Sequence, residues 1–119
     1  MSELLANVDE QTENMVTDIV WFIGKYASIN MMKDIYGLSP HATREVRAVL
    51  GVDKNLGAPS KPEEHICEAI KRAWKKIHDV YPGEDDYFYW FGMSQAWPDY
   101  ALGTLYAVVF EFDPNGEDI

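Results

Sequence analysis

Twenty Asp and Glu against ten Lys and Arg give the 119-residue chain a net charge of −10, which argues against unaided, nonspecific binding to nucleic acid. A content of 47% hydrophobic and 13% aromatic residues suffices for one buried core and argues against disorder over most of the length. The single Cys67 rules out an internal disulfide and suits a reducing compartment.

The start of the chain, MSELLANVDEQTEN, is acidic and lacks the basic opening of a secretory signal. No apolar run approaches the roughly 20 residues of a membrane span. Both features predict a soluble, cytoplasmic protein. The charge is unevenly spread: residues 1–24 carry a net −5, residues 25–62 a net +3, and residues 63–119 a net −8.

The spacing predicts a first helix over 10–26, with Asp9 or Thr12 as its cap. Met15, Ile19, Phe22, Ile23 and Tyr26 recur at helical intervals, and Val16, Val20 and Trp21 widen the stripe. Core packing is the simpler account of so broad a face, and a partner helix is the other.

Residues 29–50 read as a helix-turn-helix at the centre of the chain. Ser28 is placed to cap a helix from Ile29 to Tyr36, and Gly37 to stop it, because a residue without Cβ takes up the left-handed cap conformation cheaply. Ser39 and Pro40 are a start signal, a hydroxyl cap followed by a fixed φ, and Gly51 closes the second helix. Ala42, Val46, Val49 and Leu50 form its expected buried stripe, with His41, Thr43, Arg44, Glu45 and Arg47 on the other faces. Residues near the N-terminal end of a recognition helix meet base edges, and arginine reads guanine or clamps phosphate. The candidate DNA-binding residues are therefore Ser39, His41, Arg44 and Arg47, with Lys33 on the preceding helix, in the only net-positive region of the chain. A solvated helix face that touches no nucleic acid is the bland alternative.

Residues 52–61 are loop by composition. Pro62 opens a helix over 62–80, with Ile66, Ile70 or Ala69, Ala73 or Trp74, Ile77, and Val80 or Tyr81 as its inward face, and Lys71, Arg72, Lys75 and Lys76 as an ordinary exposed face rather than a phosphate-facing patch. After Pro82 and Gly83 an acidic cluster, Glu84, Asp85 and Asp86, runs into five aromatics, Tyr87, Phe88, Tyr89, Trp90 and Phe91. Such a run suits a short strand near 87–92 or a packed connector. It also suits a partner-binding surface, since Tyr and Trp are enriched in interfaces. A last helix is expected over 98–112, although VVFEF at 108–112 also fits a strand, and 113–119 is expected to fray.

No constellation of an enzyme is present. His65 and Cys67 are two apart on a helix and diverge, the carboxylates lack calcium-loop spacing, and no glycine loop or nucleophile motif occurs. The reading is a non-enzyme with no cofactor, no metal and no small-molecule substrate.

The order of an acidic amphipathic helix, then YASINMMKDIYGLSPHATREVRAVLG, then a loop ending near Ser60, Lys61 and Pro62, resembles the N-terminal part of FlhC-type proteins. So does the later Trp90-Phe91 pair ahead of WPDYALGTLYAVVFEF. These are subunits of the flagellar master activator and of related activators of conjugation genes on mobile elements. The resemblance implies DNA binding within a hetero-oligomer containing a small helical FlhD-type partner, with Arg44, Arg47 and Lys54 toward the DNA. The family's C-terminal zinc cysteines have no counterpart here, as Cys67 stands alone.

The fold class expected is mainly α, a small single domain over 1–119. Two functions follow. One is a transcriptional regulatory subunit that binds DNA through the helix-turn-helix with a partner, as a homo- or hetero-oligomer. The other is an acidic interaction module, an inhibitor, adaptor or nucleic-acid mimic, that binds a basic protein. Its candidate residues are Glu84, Asp85, Asp86, Tyr87, Tyr89, Trp90 and Trp97, with Asp99, Glu111 and Asp113 as further carboxylates.

Overall fold

The structure, a computed structural model, describes residues 10–52 and 61–112, with side chains from Met15 onward in the first helix. It is mainly α: α1 (Glu10–Gly24), α2 (Ile29–Tyr36), α3 (Pro40–Leu50), α4 (Glu64–Val80), α5 (Asp86–Ala96) and α6 (Leu102–Phe110). Among the described residues there is no strand, and no helix is long and apolar enough to cross a membrane.

Cap chemistry sets the helix-turn-helix. Ser28 Oγ accepts the Met31 N–H and Ser39 Oγ accepts the Ala42 N–H, each at 3.1 Å. These bonds satisfy donors that the first turn of a helix leaves free. Gly37 and Gly51 stand at φ 67° and 72°, and their N–H groups bond back into the last turns of α2 and α3. A β-carbon at either position would be strained in that region.

The helices form two neighbouring groups, α1 with α2 and α3, and α4 with α5 and α6, which meet where α2 lies against α6. Residues 102–108 of α6 are all buried, as expected of a helix that is apolar on every side. Around it sit Met31 and Met32 of α2, Cys67 and Ile70 of α4, and Trp90 and Met93 of α5; Phe22 and Ile23 of α1 complete the same core. α5 comes close to α4 at Gly92, where an added Cβ would lie 2.6 Å from Ile77 Cδ1.

α6 has no side-chain cap. Its first free donors are satisfied from the other end of the chain: Leu102 N–H bonds the Lys25 carbonyl and Gly103 N–H the Tyr26 carbonyl, both at 3.0 Å. Tyr26 holds φ 65°, uncommon for a residue with a β-carbon. The two groups are thus tied through backbone as well as through side chains. Tyr106 OH also donates to Asp34, and Asn30 Nδ2 to Glu111 Oε2 at 2.8 Å.

Three expectations are corrected. The aromatic run at 87–92 is helix, not strand, because Asp85 Oδ1 caps it by accepting the Phe88 N–H at 2.9 Å, and Tyr89, Trp90 and Met93 then fall on one inward face. The last helix begins at Leu102 rather than Pro98, since Trp97–Tyr100 form a turn closed by Tyr100 N–H to Trp97 O at 3.2 Å. On α3 the buried residues are Thr43 and Arg47, whereas Val49 is 85% exposed and Leu50 is also on the surface. α3 leans on α1 and α2, which turns positions 43 and 47 inward and leaves Val49 outside. The expected tail over 113–119 and the loop over 53–60 lie outside the described residues.

Candidate nucleic-acid interface

The outer side of α3 carries His41, Arg44, Glu45 and Ala48, all exposed, and Lys33 is exposed on the last turn of α2. His41 Nε2 lies 3.1 Å from Glu45 Oε1, one helical turn away, a contact of little energetic weight in water. Ser39 is spent on the cap of α3. Lys54 lies outside the described residues. Of the cations expected to meet DNA, Lys33 and Arg44 are therefore presented to solvent.

Arg47 is not on that surface. It is 7% exposed, and one Nη donates to the Ala27 carbonyl at 3.0 Å, in the corner between α1 and α2. Burial first, and the Arg44 charge second, lower its pKa from the ordinary arginine value. The side chain acts as a strut that ties α3 to the α1–α2 corner. The apolar periodicity of α3 does not mark this, because a charged side chain is seldom buried.

The second set of candidates is divided as well. Tyr89 and Trp90 are core residues: Tyr89 OH donates to the Tyr81 carbonyl at 2.6 Å and accepts the Glu84 N–H at 3.0 Å. The Trp90 ring packs on Trp74, centroids 4.3 Å apart. Trp97 is half-buried, with an Nε1–H that meets no partner. Tyr87 is half-buried with its ring 5.0 Å from Trp21 in an edge contact, and Glu84 and Asp86 are exposed. Asp85 is exposed but committed to the α5 cap.

The fold brings Asp18 of α1 toward this acidic end of α5, a juxtaposition that no local pattern in the chain announced. The hydroxyl of Tyr36 reaches Asp18 Oδ2 at 3.5 Å. Desolvation, then the charges of Asp18, Asp86 and Asp85, push the Tyr36 phenol well above its usual range. Asp18 is raised by burial and then by Asp85, and Asp86 likewise by burial and then by Asp85. A carboxyl held above its unfolded value binds protons more readily in the folded chain, so stability falls as pH rises through the carboxylate range and the deficit is complete at neutral pH. Asp18→Asn keeps an acceptor for Tyr36 and removes the charge. We expect it to stabilise the chain by about 0.5 kcal/mol at pH 7, with the gain gone below about pH 4, as read by urea titration at both values.

Two concavities lie on the surface of the described residues. One, of about 340 Å³, lies between the end of α1 and the α5–α6 turn, lined by Lys25, Tyr26, Ser94, Gln95, Asp99 and Tyr100 among others. The other, of about 220 Å³, is lined by Arg44, Arg47, Ala48 and Val52. Among the described residues no group of His, Cys, Asp and Glu is arranged to hold a metal ion. No family model, curated protein or solved structure matches the chain.

Proposed function

We propose that the chain is a regulatory subunit that binds duplex DNA through α2 and α3 together with a partner protein. The observation that carries this reading is the outward side of α3. Its N-terminal turn, fixed by the Ser39 cap, presents His41 and Arg44 to solvent, with Lys33 exposed on the preceding helix. The N-terminal half of the second helix is the part of such a unit that reaches base edges. Two exposed cations are few for a molecule of net charge −10, and a partner that supplies phosphate contacts resolves that shortage. The resemblance to FlhC-type proteins points the same way.

The test is retention on duplex DNA at low salt, for the chain alone and with whatever co-purifies from the native host. Binding is expected with the partner, steeply weakened by salt. Arg44→Glu is expected to lower affinity at least about fivefold, an effect of roughly 1–3 kcal/mol, and to flatten the salt dependence. If no duplex is retained at low salt in either preparation, the reading is wrong.

One observation favours the acidic interaction module as a second reading. Met15, Val16 and Val20 leave part of α1 apolar and exposed, and Phe91 is exposed near the acidic start of α5. In that reading, neutralising Glu84 and Asp86 releases a basic protein partner, whereas Arg44→Glu leaves it bound.

A further inference from the structure

The cavity of about 340 Å³ between the end of α1 and the α5–α6 turn has the size of a small-molecule site, and all its lining residues are among those described. Lys25 and Asp99 are the charged residues of its wall, one of each sign. Among the described residues, neither forms an ion pair with the other or with a third group. Tyr26, Gln95 and Tyr100 share the wall, and their side-chain polar groups meet no other described residue. Two helices end against it: α1, whose last residue is Gly24, and α5, whose last turn contributes Ser94 and Gln95. Neither helix has a basic residue in its last turn, so each C-terminus keeps its partial negative charge. The wall also holds the backbone outlier Tyr26, at φ 65°, and residues held in such conformations gather at ligand sites.

We propose that this cavity binds a free amino acid, with its carboxylate toward Lys25 and its ammonium group toward Asp99 and the two helix ends. Charge decides the class of ligand. A phosphate or other plain anion would face Asp99 and two helix C-termini, and a plain cation would face Lys25. A zwitterion meets each charge of the wall with its opposite, and charge-assisted hydrogen bonds are the strong ones. One carboxylate is too few for a metal ion. Lys25 and Tyr26 are also the residues whose carbonyls cap α6, so an occupant adds a bridge where the two groups of helices are tied. No residue of α3 lines the cavity, and the test needs no DNA.

The probe is L-2-aminobutyrate, titrated into the ¹⁵N-labelled full chain. Butyrate and propylammonium, at matched ionic strength, are the analogues that each keep one of its charges. The expected result is a saturable shift of the Lys25, Tyr26, Gln95 and Asp99 amides, with binding roughly tenfold tighter for the amino acid than for either analogue. The urea midpoint is expected to rise as the amino acid is added, because it binds the folded chain alone. Lys25→Gln and Asp99→Asn are each expected to weaken amino-acid binding about tenfold, the loss of one charge-assisted contact. Both side chains are exposed, so both variants are expected to fold, and their amide spectra verify this. Three results would overturn the proposal. They are no saturation, binding of butyrate or propylammonium as tight as that of the amino acid, and undiminished binding in either variant.

Discussion

Trp90→Ala is expected to cost about 4 kcal/mol, the range for deleting a large buried aromatic, and so to remove a large share of the stability of an ordinary small domain. Trp90 is 1% exposed. Its ring touches Trp74 of α4 and lies 6.0 Å from Tyr106 of α6, so three helices lose their common filler at once. The comparison that gives the number meaning is Phe91→Ala, one residue along the same helix but 41% exposed, expected to cost under about 1 kcal/mol. Urea midpoints for the two variants read the difference directly. A Trp90→Ala chain as stable as the wild type would place that ring on the surface, where an interaction module needs it, and would undo the account of the core given above.

Arg47→Ala should separate a structural arginine from a reading one. Its loss leaves the Ala27 carbonyl without the guanidinium donor and empties the space of the side-chain stem, together about 2 kcal/mol. Arg47→Met restores the stem but not the donor and is expected to recover about half of that loss. Arg44→Glu, on the exposed side of the same helix, should leave the urea midpoint within about 0.5 kcal/mol of wild type. If instead the Arg47 variants are as stable as the parent and Arg44→Glu is not, the assignment of the two residues is reversed.

The legible parts of the fold were those whose cause lies within a few residues. Ser28, Gly37, Ser39 and Gly51 mark the ends of α2 and α3 because capping is chemistry between neighbours, and each end falls where the sequence places it. The aromatic run misled because β-propensity weighs residue type without its context. Asp85 three residues ahead of Phe88, and Tyr89, Trp90 and Met93 at helical intervals, were the better signals, and both were in the chain. The inward face of α3 was less accessible. Thr43 and Arg47 turn in because α3 packs on α1 and α2, and a carbonyl at Ala27, contributed by a different corner of the fold, receives the Arg47 guanidinium. The same holds for the site: Lys33 and Arg44 were readable as exposed cations, but the meeting of Asp18 with Tyr36 and the acidic end of α5 depends on packing between helices far apart in sequence.

The cap of α6 bears on how the chain reaches its fold. Lys25 and Leu102, whose backbones bond directly, are 77 positions apart. Closing a loop of that length carries an entropic cost of about 4 kcal/mol before any contact across it is made. Small helical proteins usually fold fast because their contacts are local. Here the most apolar helix is N-capped by the α1–α2 corner, so its first turn gains full satisfaction only once that corner has formed. We expect the meeting of this corner with the start of α6 to limit the folding rate, as a stopped-flow measurement would read. The helix-turn-helix, capped from within, is free to form early and wait for it.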